Sequence, residues 1–332
     1  MAAKPPLRAR VAHRLRRRLA PHVRLLFEEA GLAPTAAAAS DAGAADGAAP
    51  AAAPTPAPVE SPLAAQVIHL EYPVNPIPRW GYENPPHRLL DERIGRQMSD
   101  YADWLEQFLA FSDQFGQIPV EDTGRAEQPC WRNGMFPGLD IVALYGFLAL
   151  TRPRRYLEIG SGQSTRVASL AIHQHGLDTT ITSIDPQPRA DIDALCDRVI
   201  RQPLEETDLS AFDQLDAGDI LFIDGTHRTL MNSDVTVALL DVLPTLRPGV
   251  LVQIHDIRLP WDYPHGWIDR YYSEQYVLAA YLLATEPPFD IVLPNFYVSI
   301  HEKLARILEP LWCRPELTGV ETHGESFWLR TR

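Results

Sequence analysis

Four ionisable side chains stand in two short clusters: Asp224 with His227, and His255 with Asp256. Each follows an apolar run, Asp219-Ile-Leu-Phe-Ile before the first and Gly249-Val-Leu-Val-Gln-Ile before the second. That is the pattern of a buried strand delivering polar groups at its end. Two chemistries suit such a set. A histidine titrates near neutral pH and can take a proton from a hydroxyl. Carboxylates with imidazoles can instead hold a divalent cation that acidifies a bound oxygen. The bland alternative is turn chemistry, with Asp224 and Asp256 capping turns and His255 bonded to backbone.

A second motif lies upstream. Tyr156-Leu157-Glu158-Ile159 reads as a strand, followed by Gly160-Ser161-Gly162 and a helix opening at Ser164. Glycines there allow a sharp turn and a close approach of ligand to backbone. Ser164 can cap the helix. Dinucleotide enzymes use the same turn, but they place a third glycine where this chain has Thr165. Glu158, two places before the first glycine, can face the cationic amino-acid end of a ligand. The next strand ends at Asp185, where a carboxylate can accept from both ribose hydroxyls; its other reading is a turn former before Pro186.

These motifs need a scaffold that brings strand ends together. Strands are expected at 156–159, 180–184, 199–200, 219–223, 249–254, 289–293 and 326–329. Helices are expected between them at 164–173, 189–196, 235–243 and 274–284, with two more upstream at 88–115 and 138–150. Strands alternating with helices imply an α/β fold with a doubly wound, mostly parallel sheet and an N-terminal helical extension. In such sheets ligands bind beyond the carboxyl ends of the strands, where strand order reverses. After Asp256 comes a loop rich in Trp261, Tyr263, Trp267, Tyr271, Tyr272 and Tyr276. Such a loop can wall a pocket for a polar ring; for Trp267 and Tyr276, plain anchoring of the loop is an equal reading.

Taken in order, Glu158-x-Gly160-x-Gly162, Asp185, Asp219-Ile-Leu-Phe-Ile-Asp224-Gly-Thr-His227 and His255-Asp256 resemble the class I S-adenosylmethionine-dependent methyltransferases. More narrowly, residues 130–330 are similar to methyltransferase family 24, which includes the macrolide-sugar O-methyltransferases. The resemblance implies a Rossmann-like seven-stranded sheet with a reversed last strand. It implies S-adenosylmethionine across the first two strands, with Glu158, Gly160, Ser161, Gly162 and Ser164 on the methionine side and Asp185 on the ribose. It further implies a hydroxyl acceptor on a sugar, glycan or other polar small molecule, His227 as general base, and Asp224 and Asp256 as metal ligands. His255 departs from the metal-dependent members of the family, which usually have a carboxylate there. A histidine weakens the case for magnesium and points toward manganese, iron or zinc. By family layout, Cys130 to Asn133 with Met135 and Phe136 form a lid. Two other classes stay open: a nicotinamide oxidoreductase, disfavoured by Glu158 and Thr165, and a non-catalytic scaffold.

Charge separates along the 332 residues. Residues 1–30 carry eight basic side chains against Glu28 and Glu29, a balance of +6 in a chain of net −13. Acidity argues against a nucleic-acid partner. Residues 8–27 have helical apolar spacing interrupted by Pro21, which reads equally as a membrane- or protein-binding arm and as a solvated one. Residues 31–65 are an Ala/Pro linker unable to bury a core, 66–150 a cap segment, and 151–332 the catalytic domain. Three widely spaced cysteines and no apolar leader lead us to expect a cytoplasmic protein. Oligomeric state is not legible.

Overall fold

The computed structural model describes residues 70–72 and 74–332. The expected basic arm and linker, residues 1–65, lie outside them. Seven apolar runs form strands: β1 Arg155–Ile159, β2 Thr180–Ile184, β3 Arg198–Ile200, β4 Ile220–Ile223, β5 Leu251–Ile254, β6 Phe289–Pro294 and β7 Phe327–Thr331. They make one sheet in the order β3-β2-β1-β4-β5-β7-β6. All are parallel except β7, which runs antiparallel to β5 and β6. Every residue of β4 and β5 is buried, as expected of central strands covered on both faces. Strand order reverses between the paired β1 and β4, which opens a crevice at their carboxyl ends.

Five helices matter for the site: α1 Arg88–Ile94, α2 Met98–Phe108, α3 Gly138–Thr151, α4 Gln163–Gln174 and α5 Glu274–Leu283. α3 buries 12 of its 14 residues. Gly146 is needed there, because a Cβ would stand 2.2 Å from the Phe108 ring. Side chains from α1, α2 and α3 share one apolar core with the sheet. Upstream of α1, Asp262 accepts from Arg79 N at 2.6 Å and Trp80 N at 3.0 Å, tying residues 79–80 to the loop after β5.

Several expected helices differ. The run 88–115 is interrupted by two tight turns after α1 and α2. No helix forms at 189–196, where only a single turn, Asp193–Leu195, exists. Ile192 is the one buried side chain in that stretch, too little to offset the entropy of ordering a helix. The stretch from Asp234 widens into a π-turn over Val237–Val242 and tightens at Leu243–Thr245. Pro244, with no N–H, ends it. Short helices at Asn295–Ile300, Glu302–Ala305 and Glu309–Trp312 were not foreseen. Among the described residues no helix is long and apolar enough to cross a membrane.

Candidate active site

The glycine turn begins where β1 ends. Gly160 has φ +78°, and a Cβ on it would lie 1.8 Å from the Asp224 carbonyl oxygen, so the turn passes directly over the end of β4. Gly160→Ala adds left-handed strain, about 1–3 kcal/mol, to that overlap. We expect it to weaken binding of S-adenosylhomocysteine at least about tenfold, as read by calorimetric titration.

Glu158 is wholly buried and organises this turn from inside. Its Oε2 accepts from the Tyr156 hydroxyl at 2.9 Å and from Ser164 Oγ at 3.2 Å, and its Oε1 accepts from Thr165 Oγ1. Thr165 Oγ1 in turn accepts from Gly162 N at 3.0 Å. The residue in place of a third glycine is thus the link between carboxylate and loop. Burial pushes the Glu158 carboxyl up to about 7, against the lowering effect of those hydroxyls. Neither oxygen reaches the surface, so the expected contact between Glu158 and a ligand's ammonium does not follow from this geometry. Asp185 Oδ2 accepts from Ser161 N at 2.9 Å and Oδ1 from Gln187 N at 2.7 Å. Arg201 beyond β3 donates to the Asp185 carbonyl at 3.0 Å. The half-buried Asp185 therefore sits at the joint of the first two strand ends.

Across the crevice, the segment before α3 is fastened by Asn133. Its Oδ1 accepts from Met135 N at 2.9 Å and Phe136 N at 2.7 Å, while Nδ2 donates to Cys130 O at 2.9 Å. Phe136 packs on His255, ring centres 5.3 Å apart, and Met135 Sδ lies 3.9 Å from Arg189. The segment thus spans from β5 to the loop after β2.

The four ionisable residues do converge. His227 Nε2 lies 3.3 Å from Asp224 Oδ1 and 3.4 Å from Asp256 Oδ2. His255 Nδ1 lies 3.5 Å from Asp224 Oδ1 and 3.4 Å from Asp256 Oδ1. Each imidazole also has an outer carboxylate that sequence reading missed. His227 Nδ1 meets Glu274 at the start of α5, and His255 Nε2 meets Asp140 at 3.2 Å in the first turn of α3. The one available signal for Asp140 was an acid inside the apolar run Gly138-Leu-Asp-Ile-Val-Ala-Leu. Both His227 (φ +61°) and Asp256 (φ +55°) adopt left-handed backbone, strain typical of functional loops. Asp224 alone opens outward, its side chain 34% exposed against 7% for His227.

Burial favours neutral imidazoles, but the surrounding carboxylates override it. Glu274, Asp224 and Asp256 raise His227 well above 6.5, and Asp224, Asp256 and Asp140 do the same to His255. Burial pushes Asp224 up, yet the two imidazoles hold it below the usual carboxylate range. Among the described residues no group of three or more His, Cys, Asp or Glu is disposed to hold an ion. That arrangement gives no support to the metal expected at Asp224, His255 and Asp256, and no step is derived through one.

Beside this cluster, the Tyr272 ring centre lies 4.5 Å from that of His227. Trp267 packs at 5.6 Å from Tyr272, and Tyr263 at 5.8 Å. The aromatic loop after β5 therefore reaches the cluster through Tyr272. Tyr276 instead donates to Asp262 at 2.9 Å, in keeping with its anchoring reading.

Residues 157–257 match a family model described as a methyltransferase domain. No curated protein matches the chain. Solved structures similar to it include an SAH-bound methyltransferase of Podospora anserina, at 14% identity over 73% of this chain and 97% of that one, with a TM-score of 0.37. A putative O-methyltransferase from Klebsiella pneumoniae is also 14% identical, over 69% and 89%, with a TM-score of 0.35. The O-methyltransferase from Bacillus cereus in complex with SAH is 17% identical, over 69% and 91%, with a TM-score of 0.31. No residue role is taken from overlaps this loose. The domain match spans the glycine turn and the ends of β4 and β5, set in a seven-stranded sheet with a reversed β7. Residues 157–257 thus carry the likeness to a methyltransferase domain, and the seven-stranded sheet with its reversed β7 is the scaffold that holds them.

Proposed function

We propose that the enzyme methylates a hydroxyl of a polar small molecule, a sugar or glycan being the best fit, with His227 as general base. One observation carries the reading: His227 Nδ1 is locked on buried Glu274 while Nε2 points to Asp224, the outward-opening member of the cluster. S-adenosylmethionine supplies an electrophilic methyl on a sulfonium. As the acceptor oxygen bonds to that methyl and the sulfur–carbon bond breaks, Nε2 takes the hydroxyl proton. The resulting imidazolium is stabilised by Glu274 on one side and by Asp224 and Asp256 on the other. Tyr272 closes one face of the imidazole and excludes water there. Asp185 would hold the ribose, and Gly160, Ser161, Gly162 and Ser164 the methionine side. The test is transfer of labelled methyl from S-adenosylmethionine to a panel of glycosides, matched to analogues with the hydroxyls replaced by hydrogen. Label on the hydroxyl-free analogues, or on amines in preference to alcohols, overturns the reading.

The charge on His227 fixes its pH behaviour. A pKa raised in the folded state means the imidazolium stabilises the fold below about pH 6.5, and this contribution fades as pH rises through the raised value. The neutral base appears on the alkaline side, so kcat/KM should climb with pH. Burial raises the Glu274 carboxyl and His227 partly offsets that. Glu274→Gln removes the nearest anion, so the rising limb should move to lower pH by about 1–3 units, as read from the kcat/KM profile.

A further inference from the structure

The first turn of α4 carries two polar side chains whose bonding capacity the chain does not use. Arg166 is only 8% exposed, and its Nε is buried with no partner. Gln163 Oε1 is likewise buried without a partner. Among the described residues no carboxylate forms an ion pair with Arg166; Glu127, whose acidity Arg166 influences, pairs instead with Arg125 at 2.6 Å. A buried guanidinium without an anion is costly, and native proteins leave few such groups unexplained.

The two residues stand three positions apart, so their side chains are neighbours on one helix face. One offers an orphan donor and positive charge, the other an orphan acceptor. A zwitterionic α-amino acid has the complementary pair, a carboxylate and an ammonium. Their placement agrees. α4 is 12 residues long and starts directly after Gly160–Gly162, so its free N–H groups and dipole favour an anion. A Cβ built on Gly162 meets nothing within 4 Å, which leaves open space beside the turn. In this arrangement both oxygens of Glu158 are buried and bonded to Tyr156, Ser164 and Thr165, which leaves the ammonium to another acceptor.

We propose that Arg166 and Gln163 hold the amino-acid end of S-adenosylmethionine, Arg166 taking the carboxylate and Gln163 Oε1 the ammonium. This rests on the methyltransferase reading above and adds the group that distinguishes the full ligand from a bare thioadenosine.

The experiment is calorimetric titration of the full chain with two probes: S-adenosylhomocysteine, and 5′-methylthioadenosine, which lacks the amino-acid end. Arg166→Ala should weaken S-adenosylhomocysteine about 10- to 100-fold, as for a hydrogen bond to a charged group, and leave methylthioadenosine within about twofold. Arg166→Lys should recover part of the loss. Gln163→Ala should weaken S-adenosylhomocysteine by a smaller factor, again sparing the shorter probe. Unchanged S-adenosylhomocysteine affinity in Arg166→Ala overturns the proposal. So does an equal loss of both probes in Arg166→Ala and in the near-isosteric Arg166→Met, since that marks a role in shaping the fold. Absence of binding by the wild type would sink the methyltransferase reading itself, and is distinguished by needing no variant.

Discussion

His227→Ala should lower kcat by about 10²- to 10⁴-fold, the range for loss of a general base, with S-adenosylhomocysteine affinity nearly unchanged. The expected split follows from position. His227 lies beyond β4 and faces Asp224 and Asp256, whereas the glycine turn and Asp185 lie at the ends of β1 and β2. A base acts on the acceptor's proton in the transition state and adds little to ground-state binding of the methyl donor. The comparison with Glu274→Gln sharpens it. Glutamine can still accept from Nδ1 and hold the ring, so that variant should retain far more activity than His227→Ala and differ mainly in pH profile. If His227→Ala instead keeps kcat and loses donor affinity, the imidazole belongs to the donor site and not to the acceptor.

The largest effect on stability is expected at Asp140. Its Oδ1 accepts from Asn295 Nδ2 at 2.6 Å and Ser326 N at 3.0 Å, and its Oδ2 from Glu325 N at 2.8 Å, with His255 Nε2 at 3.2 Å. One buried carboxylate thus joins the start of α3, the end of β6, the entry to β7 and the end of β5. Asp140→Ala strands the buried His255 charge and two backbone N–H groups. Removing one member of a buried pair costs about 3–5 kcal/mol, so the melting temperature should fall on the order of 10 °C. Asp140→Asn cannot match the charge of His255 and should be intermediate. A loss below about 1 kcal/mol in either variant, by denaturant titration, would show that the junction is held by apolar packing alone.

What was legible in the sequence was what local pattern determines. The runs Ile220–Ile223 and Leu251–Ile254 are apolar at every position but Gln253, so the central strands and the residues at their ends could be placed directly. The glycine turn reads from Gly160 and Gly162, because few residues but glycine adopt φ +78° and none with a side chain fits under Asp224. What escaped was set by distance in the chain. Asp140 contacts groups up to 186 positions away, and Glu274 meets His227 across 47; neither spacing leaves a periodic trace. Glu158 was legible as an acid beside the loop, but its inward orientation depends on Tyr156, Ser164 and Thr165 supplying hydroxyls together. The missing helix at 189–196 is a case of propensity without burial, since helices in proteins are stabilised chiefly by the face they pack. The metal expectation came from the residue types at the two strand ends and from resemblance. The outer carboxylates on both imidazoles, Glu274 and Asp140, were invisible locally.

Binding of S-adenosylmethionine in the crevice over β1 and β4 stands or falls on titration calorimetry of the full wild-type chain. One S-adenosylmethionine should bind per chain, S-adenosylhomocysteine should compete for the same site, and reduced nicotinamide dinucleotide should give no saturable heat. A folded sample that binds neither sulfur ligand, or that binds the nicotinamide dinucleotide in their place, would show that the crevice is not a site for S-adenosylmethionine.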